Sequence, residues 1–299
     1  RGNVRFPAGT DLRVVLDAGN GAGGPLGMAT MRAVGLNPDG IFTEMDGTFP
    51  NHHPDPTQPE NLEALIARVR KTGAQVGIAY DGDADRIGAV DATGEIVWGD
   101  RLLAAFSRDI LSRRPGASII GEVKCSQVLY DDIAKRGGVP VMWKTGHSLI
   151  KAKMKETGAL LAGEMSGHMF FADRYFGYDD AVYASLRLLE ILAAKRCTLG
   201  ELLADLPRTF VTPELRVDCA EEVKFAVVKH VLAHYRKTHE VIDVDGARVN
   251  FGDGWGLVRA SNTGPVLVLR FEASTAERRD AMRAEVEGVV ELAKAAARA

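Results

Sequence analysis

The sequence predicts an α/β fold class, with two three-layer α/β/α domains followed by a smaller α+β domain that has a mostly antiparallel sheet. Before Pro213, apolar runs alternate with segments of helical periodicity, which is typical of α/β layers. After Pro213, several short strands alternate with two helices, which is typical of an α+β domain. A chain of 299 residues is too long for one ordinary core, and we expect domains over residues 1–99, 100–208 and 209–299.

The first predicted domain combines strands and helices in the order of an α/β layer. Apolar runs predict its strands, and Pro25 stands where proline is favoured, in the first turn of a helix. A Thr93-Gly94 turn should join the last two strands. The predicted elements are the strands Leu12–Asp17, Gln75–Tyr80, Ile87–Val90 and Glu95–Trp98 and the helices Pro25–Val34 and Glu60–Thr72.

The second predicted domain repeats this alternation, and the third does not. Asp179 or Asp180 is available to cap the last helix of the second domain, and Leu206–Pro213 reads as a crossing linker. Predicted for the second domain are the helices Arg101–Arg113, Ser126–Arg136 and Asp180–Lys195 and the strands Ser118–Glu122, Val139–Lys144 and Ala159–Ala162. Predicted for the third are the strands Glu214–Asp218, Glu240–Asp243, Gly256–Arg259 and Val266–Glu272 and the helices Ala220–Tyr235 and Ala276–Ala297.

Composition argues against two classes of partner. The net charge of −3 and the pI near 6.2 give no basic excess for nucleic acid, and the apolar runs are far shorter than the roughly 20 residues of a membrane span. The three cysteines form no CxxC pair, which favours a reducing cytoplasm. Because the chain opens at Arg1 without an initiator methionine or a signal peptide, we expect further sequence upstream.

The sharpest local motif is DGDADR, Asp81 to Arg86, directly after a predicted strand. Three carboxylates at alternate positions repel each other unless a cation or several donors neutralise them, so a hard divalent ion is the natural partner. A solvated Asp/Gly turn is the alternative. An EF-hand loop does not fit, because it needs Gly where Arg86 stands and Glu where Ala92 stands.

A second motif is GEMSGH, Gly163 to His168, which follows a short apolar strand. It offers a carboxylate, a hydroxyl and an imidazole together, and such groups suit a polyhydroxyl ligand. The alternative is a loop in which these side chains only satisfy the backbone.

A third motif is RASNTGP, Arg259 to Pro265, between two predicted strands of the last domain. Arginine supplies a planar fork of donors, and the neighbouring short polar side chains add more, which matches a phosphate dianion. A polar β-turn is the alternative.

Two single residues, Lys124 and His147, each follow a predicted strand. Active sites of α/β layers gather at the carboxyl ends of strands, so both side chains are candidates for the cleft that holds Asp81. A surface lysine and a capping histidine are the alternatives.

Two further patterns compete with these motifs. Gly19, Gly21 and Gly24 form a G-x-G-x-x-G after a strand, with Glu44 twenty residues beyond, which is the form of a dinucleotide fingerprint. Pro25 is an unusual start for a pyrophosphate-binding helix, and we interpret the turn as structural.

His230 and His234 have the spacing of zinc ligands on a helix, but no third ligand is evident, so we interpret both as exposed.

Together, DGDADR, GEMSGH and RASNTGP, in this order and at these separations, resemble the α-D-phosphohexomutase family. The likeness extends through FPNHHPDP (Phe49–Pro56), Pro140–Phe171 and Gly254–Ala273 and covers essentially the whole chain. It is strongest with bacterial members that feed exopolysaccharide synthesis. Family members have four domains, and this sequence resembles the second, third and fourth. The phosphoserine nucleophile belongs to the first, and no T-A-S-H-N-P segment occurs here.

The resemblance implies an enzyme that moves phosphate between C6 and C1 of glucose or mannose. It implies Mg²⁺ and glucose 1,6-bisphosphate as cofactors, a phosphosugar substrate, domain I as the missing partner, and a monomer. The implied metal ligands are Asp81, Asp83 and Asp85, and the implied catalytic residues are Lys124, His168 and Arg86. The implied substrate-binding residues are His147, Glu164, Met165, Ser166, Gly167, His168, Arg259, Ala260, Ser261, Asn262 and Thr263.

Two departures from the family pattern accompany the resemblance. Gly264 stands where relatives usually carry Glu or Thr, which removes a side chain beside the phosphate. Ala84 stands where Gly is also common, and we expect any α or β conformation to accept it. Two other functions stay open: an enzyme that uses a nucleotide cofactor at Gly19 to Gly24, and a non-catalytic phosphosugar-binding protein.

Overall fold

The structure, a computed structural model, describes residues 2–298. The chain divides into two compact units. Of the described residues, the first contains 2–141 and 146–206, and the second contains 142–145 and 207–298. The three-domain division within these residues stays a prediction.

The first unit begins with a five-stranded sheet in the order β2-β1-β3-β4-β5. The first three strands are parallel, and the buried residues of β1 are apolar apart from Asp17 at its end; the last two strands run antiparallel to their neighbours. A buried cluster that includes Val15, Leu65, Val69 and Val90 joins α2 to this sheet. The elements are β1 (Val14–Asp17), α1 (Gly23–Ala33), β2 (Asp39–Ile41), a 3₁₀ turn (Pro59–Leu62), α2 (Glu63–Thr72), β3 (Val76–Tyr80), β4 (Ile87–Asp91) and β5 (Ile96–Val97).

A four-stranded sheet in the order β7-β6-β8-β9 follows in the chain. β6 and β8 are parallel, and β9 returns antiparallel to β8. Ser126 caps α4 through its hydroxyl, and Asp180 caps α6 by accepting from the Tyr183 N–H. The elements are α3 (Gly99–Arg113), β6 (Ser118–Glu122), α4 (Gln127–Lys135), β7 (Val139–Trp143), α5 (His147–Thr157), β8 (Leu161–Gly163), β9 (Met169–Phe171), α6 (Ala181–Lys195) and α7 (Leu199–Leu203).

The second unit contains a six-stranded sheet in which all the strand pairs are antiparallel. Two helices pack on it around a single apolar cluster that includes Val231, Val258, Phe271 and Val286. Burying each such side chain contributes about 1.5–3 kcal/mol. The elements are β10 (Phe210–Val211), β11 (Leu215–Asp218), α8 (Lys224–Tyr235), β12 (Glu240–Ile242), β13 (Ala247–Asn250), β14 (Gly254–Ala260), β15 (Val266–Ala273) and α9 (Ala276–Arg298).

Most predicted elements are present, with ends that shift by a few residues. The linker Leu206–Pro213 is only partly a linker, because β10 pairs with β15 inside it. Five further elements were not predicted: β2, α5, β9, α7 and β13. Among the described residues, each helix is either too short or too polar to cross a lipid bilayer.

Candidate active site

The acidic loop, Asp81–Arg86, connects β3 to β4 in an antiparallel hairpin that pairs Tyr80 with Ile87. The turn after β1 packs directly against it. The Ala22 N–H donates to the Gly82 carbonyl at 2.9 Å, and a Cβ added to Gly21 would lie 2.7 Å from the same oxygen. The glycine at position 21 is therefore needed for close packing against the acidic loop.

Three carboxylates of this loop converge. Asp81, Asp83 and Asp85 each offer one oxygen, and these oxygens lie within 4.8 Å of one another. Asp81 is buried, Asp83 is exposed and Asp85 is intermediate. An all-oxygen donor set of this kind fits a hard divalent cation such as Mg²⁺.

Arg86 lies over the buried carboxylate of the loop. Its Nε donates to Asp81 Oδ2 at 2.7 Å, its backbone N–H donates to Asp81 Oδ1 at 3.0 Å, and its Nη1 donates to Asp55 Oδ1 at 3.1 Å. Burial raises the pKa of Asp81, and the hydrogen bonds and positive charge of Arg86 offset this rise only in part. The positive charge of Arg86 favours the ionised form of Asp81.

The GEMSGH loop, Gly163–His168, pairs with the start of β4. The Ile87 N–H donates to the Gly167 carbonyl at 3.0 Å, and Arg86 and His168 form an antiparallel bridge. Gly167 has φ +101°, and a Cβ there would lie 2.3 Å from the Ile87 oxygen. Only glycine fits this contact, which sets the two loops side by side within the first unit.

His168 stands between the two loops. Its Nδ1 lies 2.9 Å from Glu164 Oε2 and 3.0 Å from Ser166 Oγ, and its Nε2 lies 3.3 Å from Asp85 Oδ1. Burial disfavours the charged imidazolium, but the hydrogen bond with Glu164 and the charges of Asp85 and Asp179 outweigh it and raise the pKa of His168. These partners therefore favour the protonated form of the ring.

Glu164 is almost fully buried and is anchored on both oxygens. Its Oε1 accepts from the Gly146 N–H at 2.7 Å, while its Oε2 faces His168. Burial opposes ionisation, but these hydrogen bonds and the positive charges of His168 and Lys124 lower the pKa of Glu164. The next residue, Met165, donates its N–H to Glu122 Oε1 at 3.3 Å.

Lys124 and His147 both lie near this pair of loops. Lys124 is buried, its N–H donates to Glu122 Oε2 at 2.8 Å, and its charge acts on Glu164. His147 begins α5 with a side chain that is 58% exposed, and its ring stacks 6.3 Å from that of His168. The first unit thus brings together all its predicted site residues, and their individual roles stay predictions.

The third predicted motif is the loop of the β14–β15 hairpin in the second unit. Arg259 and Ser261 are buried, whereas Asn262 and Thr263 are exposed. The Ser261 hydroxyl accepts from the Thr263 N–H at 3.2 Å, so the short polar side chains also stabilise the turn. Both interpretations of the motif, a β-turn and an anion cradle, are compatible with this geometry.

Two residues that were not singled out in the sequence hold this hairpin loop. Asp245 Oδ2 accepts from Arg259 Nε at 3.1 Å and also from the Thr145 N–H at 3.1 Å. Lys224, in α8, donates from Nζ to the carbonyl oxygens of Ser261 and Gly264. The burial of Lys224 could not be predicted from the sequence, because lysine side chains in helices are rarely buried.

Gly264, by contrast, is unconstrained. Its φ is not positive, and a Cβ there would have no neighbour within 4 Å. The departure from the family pattern at this position therefore imposes no strain of its own.

The expectation for Ala84 was wrong. Ala84 has φ +64°, a left-handed conformation in which a side chain costs about 1–2 kcal/mol relative to glycine. Its carbonyl accepts from the Ala181 N–H at 3.0 Å, which holds this conformation in place.

The competing patterns gain no support from the geometry. A Cβ at Gly24 would lie 2.1 Å from the Thr43 oxygen, so this glycine too serves close packing. At the start of α1, the Ala22 N–H donates to the Gly82 carbonyl and the Gly24 N–H to the Gly21 carbonyl, which does not favour a dinucleotide site. His230 and His234 are exposed, as expected.

Models of a single family match successive parts of the chain. Residues 3–94 match the phosphoglucomutase/phosphomannomutase alpha/beta/alpha domain II, residues 98–210 match alpha/beta/alpha domain III, and residues 214–289 match the C-terminal domain. The chain belongs to the phosphoglucomutase/phosphomannomutase family. The predicted fold class and the resemblance are both confirmed.

Relatives within the phosphoglucomutase/phosphomannomutase family are similar over most of the chain. A phosphomannomutase/phosphoglucomutase of Pseudomonas putida is 52% identical over 88% of this chain and 57% of its own length. One from Pseudomonas aeruginosa is 51% identical over 89% of this chain and 58% of its own length. The chain therefore spans less than two thirds of the length of these relatives.

Solved structures of the family show the same fold. A phosphoglucomutase/phosphomannomutase family protein from Burkholderia thailandensis has a TM-score of 0.91 at 45% identity, covering 98% of this chain and 62% of that one. An N-acetylphosphoglucosamine mutase of Aspergillus fumigatus, in complex with GlcNAc-6P and magnesium, has a TM-score of 0.71 at 17% identity, covering 97% and 62%. The latter shows likeness of fold alone.

Proposed function

We propose that this chain is the metal- and sugar-binding part of a phosphohexomutase, an isomerase that interconverts hexose 6-phosphate and hexose 1-phosphate of glucose, mannose or both. The observation that carries the proposal is the direct pairing of the acidic loop with the GEMSGH loop, which sets His168 Nε2 3.3 Å from Asp85 Oδ1. The proposed cation ligands would thereby lie beside the proposed sugar-binding groups. The names of relatives at about 50% identity support the same activity.

The proposed roles follow from the donor sets. Asp81, Asp83 and Asp85 would hold Mg²⁺. When bound, this ion would neutralise negative charge on the phosphoryl group that is transferred. A magnesium complex of the Aspergillus relative is consistent with this choice of metal. Glu164 and Ser166 would bind sugar hydroxyls, and the loop from Arg259 to Thr263 would bind the phosphate that is not transferred.

His168 is the proposed proton carrier. Its Nδ1 is held by Glu164, and its Nε2 is directed toward the acidic loop, where a sugar hydroxyl can exchange a proton with it. Lys124 lies near Glu164 and Arg86 lies over Asp81, so both cations are placed to bind anionic oxygens. His147 faces the same ring and would contact the ligand.

The proposed nucleophile is a phosphoserine outside residues 1–299, in the part of the relatives that this chain does not span. Glucose 1,6-bisphosphate would be the intermediate that turns end for end. We also propose that the protein is a monomer and that this chain contains three domains of the family. The three cysteines form no disulfide, which suits the cytoplasm, where we propose that the enzyme works in a pathway toward exopolysaccharide.

Enzyme assays test the proposal. A full-length protein that carries this chain, primed with glucose 1,6-bisphosphate and Mg²⁺, should convert glucose 1-phosphate to glucose 6-phosphate, whereas residues 1–299 alone should not. His168→Gln should lower kcat by about 10²–10⁴-fold, and the matched exposed control His230→Gln should leave it unchanged. No conversion by the primed full-length protein, or turnover by residues 1–299 alone, would contradict the proposal.

A further inference from the structure

A second group of potential metal ligands lies beside the acidic loop. Asp85, His168 and Asp179 each offer one ligand atom, and these atoms lie within 4.8 Å of one another. Only Asp85 belongs to both groups. The second group differs in kind from the first, because it contains an imidazole nitrogen.

Asp179 contains a buried oxygen that lacks a hydrogen bond. Its side chain is 8% exposed, and its Oδ1 accepts from Lys151 Nζ at 3.2 Å. Among residues 2–298, its Oδ2 is buried without a hydrogen-bond partner, and its ion-pair contact with His147 Nδ1 is 3.6 Å long. Buried carboxylate oxygens normally accept a hydrogen bond, so the unbonded Asp179 oxygen indicates that a ligand binds between the side chains of Asp179 and His147.

The spacing of the other two ligands fits a small tetrahedral ion. Ligands that stand about 2.0–2.1 Å from a tetrahedral zinc ion lie about 3.3 Å from each other. His168 Nε2 and Asp85 Oδ1 are 3.3 Å apart. Glu164 holds the other ring nitrogen at 2.9 Å, which is the carboxylate–histidine arrangement that orients metal-binding imidazoles.

We propose that His168, Asp85 and Asp179, with His147 as the fourth ligand, bind a first-row transition ion of the Zn²⁺ class at a site that overlaps that of Mg²⁺ at Asp85. Imidazole nitrogen favours zinc over magnesium, which takes oxygen ligands. Because Asp85 is shared, zinc and magnesium compete. Zinc binding also occupies Nε2 of His168, the nitrogen proposed to exchange a proton with the sugar, and so inhibits the mutase; the inhibition rests on the proposed function, whereas the binding does not.

Calorimetry with ZnCl₂ and MgCl₂ on the 299-residue chain tests the site. Asp179→Asn should weaken zinc binding roughly tenfold or more and leave the magnesium affinity unchanged. Asp83→Asn should do the reverse, and Asp85→Asn should weaken both. The matched controls Asp131→Asn and His230→Gln, at exposed positions, should change neither affinity.

His147→Gln provides a second test if Asp179→Asn does not fold, because the His147 side chain is largely exposed. It too should weaken zinc binding. The proposal is overturned if both variants bind zinc within twofold of the parent chain, if Asp83→Asn abolishes zinc and magnesium binding together, or if His230→Gln or His234→Gln removes the zinc. Since these assays involve no turnover, failure of the mutase assay leaves them interpretable.

Discussion

The ammonium group of Lys224 donates to the backbone oxygen of Ser261 at 2.6 Å and to that of Gly264 at 3.2 Å. The lysine side chain is only 2% exposed, and a Glu221 carboxylate lies 2.7 Å from its Nζ. One buried cation in α8 therefore holds both sides of the hairpin loop that we propose for phosphate. It also adds positive charge beneath the loop.

Replacing Lys224 with methionine should loosen this loop. Two carbonyl oxygens lose their donor, which costs about 1–3 kcal/mol of unfolding free energy, and the affinity of the chain for phosphate should fall by about tenfold. Calorimetric titration with inorganic phosphate measures the second effect. Lys229→Met, at an exposed position of the same helix, is the control, and equal phosphate affinity in both variants would refute the positioning role of Lys224.

Alanine at Gly167 should separate the two loops of the first unit. The new Cβ would lie 2.3 Å from the Ile87 oxygen at φ +101°, and strain of this kind costs on the order of 1–3 kcal/mol. The matched variant Gly264→Ala meets nothing within 4 Å and should stabilise the chain by about 0.4–1 kcal/mol. Urea unfolding of both variants compares them, and equal stabilities would show that the Gly167 contact is not tight.

Sequence patterns were sufficient to predict a helix or strand where the local sequence alone determined it. Strand β6 has the predicted ends Ser118 and Glu122, because a compact apolar run flanked by turns leaves few alternatives. Helix α5 was missed because only Ile150 and Met154 on it are buried, which is too few for a clear periodicity. Two features of the sequence could have predicted this helix: the glycine at position 158, which ends it, and the four-residue spacing between Ile150 and Met154.

The site was predictable in its motifs and not in its supporting contacts. The three motifs carry unusual groups of charged and polar side chains, which a sequence displays directly. Asp179 appeared in the sequence only as an alternative helix cap, and Asp180 fills that role. Its position beside His168, like the position of Lys224 under Ser261, depends on tertiary packing that no local pattern encodes.

The contact between His52 and Asp17 should make stability depend on pH. His52 Nε2 lies 3.2 Å from both oxygens of the buried Asp17, and this hydrogen bond, with the negative charge, raises the pKa of His52 despite partial burial. A raised folded-state pKa adds stability that is complete below the unfolded value near 6.5. That stability disappears as the pH rises through the folded-state pKa.

Denaturant unfolding at pH 6 and pH 8.5 measures this dependence. The parent chain should lose more stability between these two values than His52→Gln, which cannot titrate at this position. His53→Gln is the neighbouring control and should behave as the parent does. An identical loss in the parent and His52→Gln would mean that the contact contributes nothing to the pH dependence.

Magnesium should stabilise the chain through the acidic loop even without turnover. An ion that binds only the folded state adds about 2.7 kcal/mol at a concentration one hundred times its Kd. Asp83 is exposed and offers an oxygen to the proposed magnesium site without supporting the core, so Asp83→Asn should abolish the magnesium-dependent rise in Tm while leaving the metal-free Tm nearly unchanged. Asp218→Asn, at an exposed aspartate in the second unit, should retain the full rise. A magnesium response that survives in Asp83→Asn would place the ion elsewhere and would remove the acidic loop from the proposed mechanism.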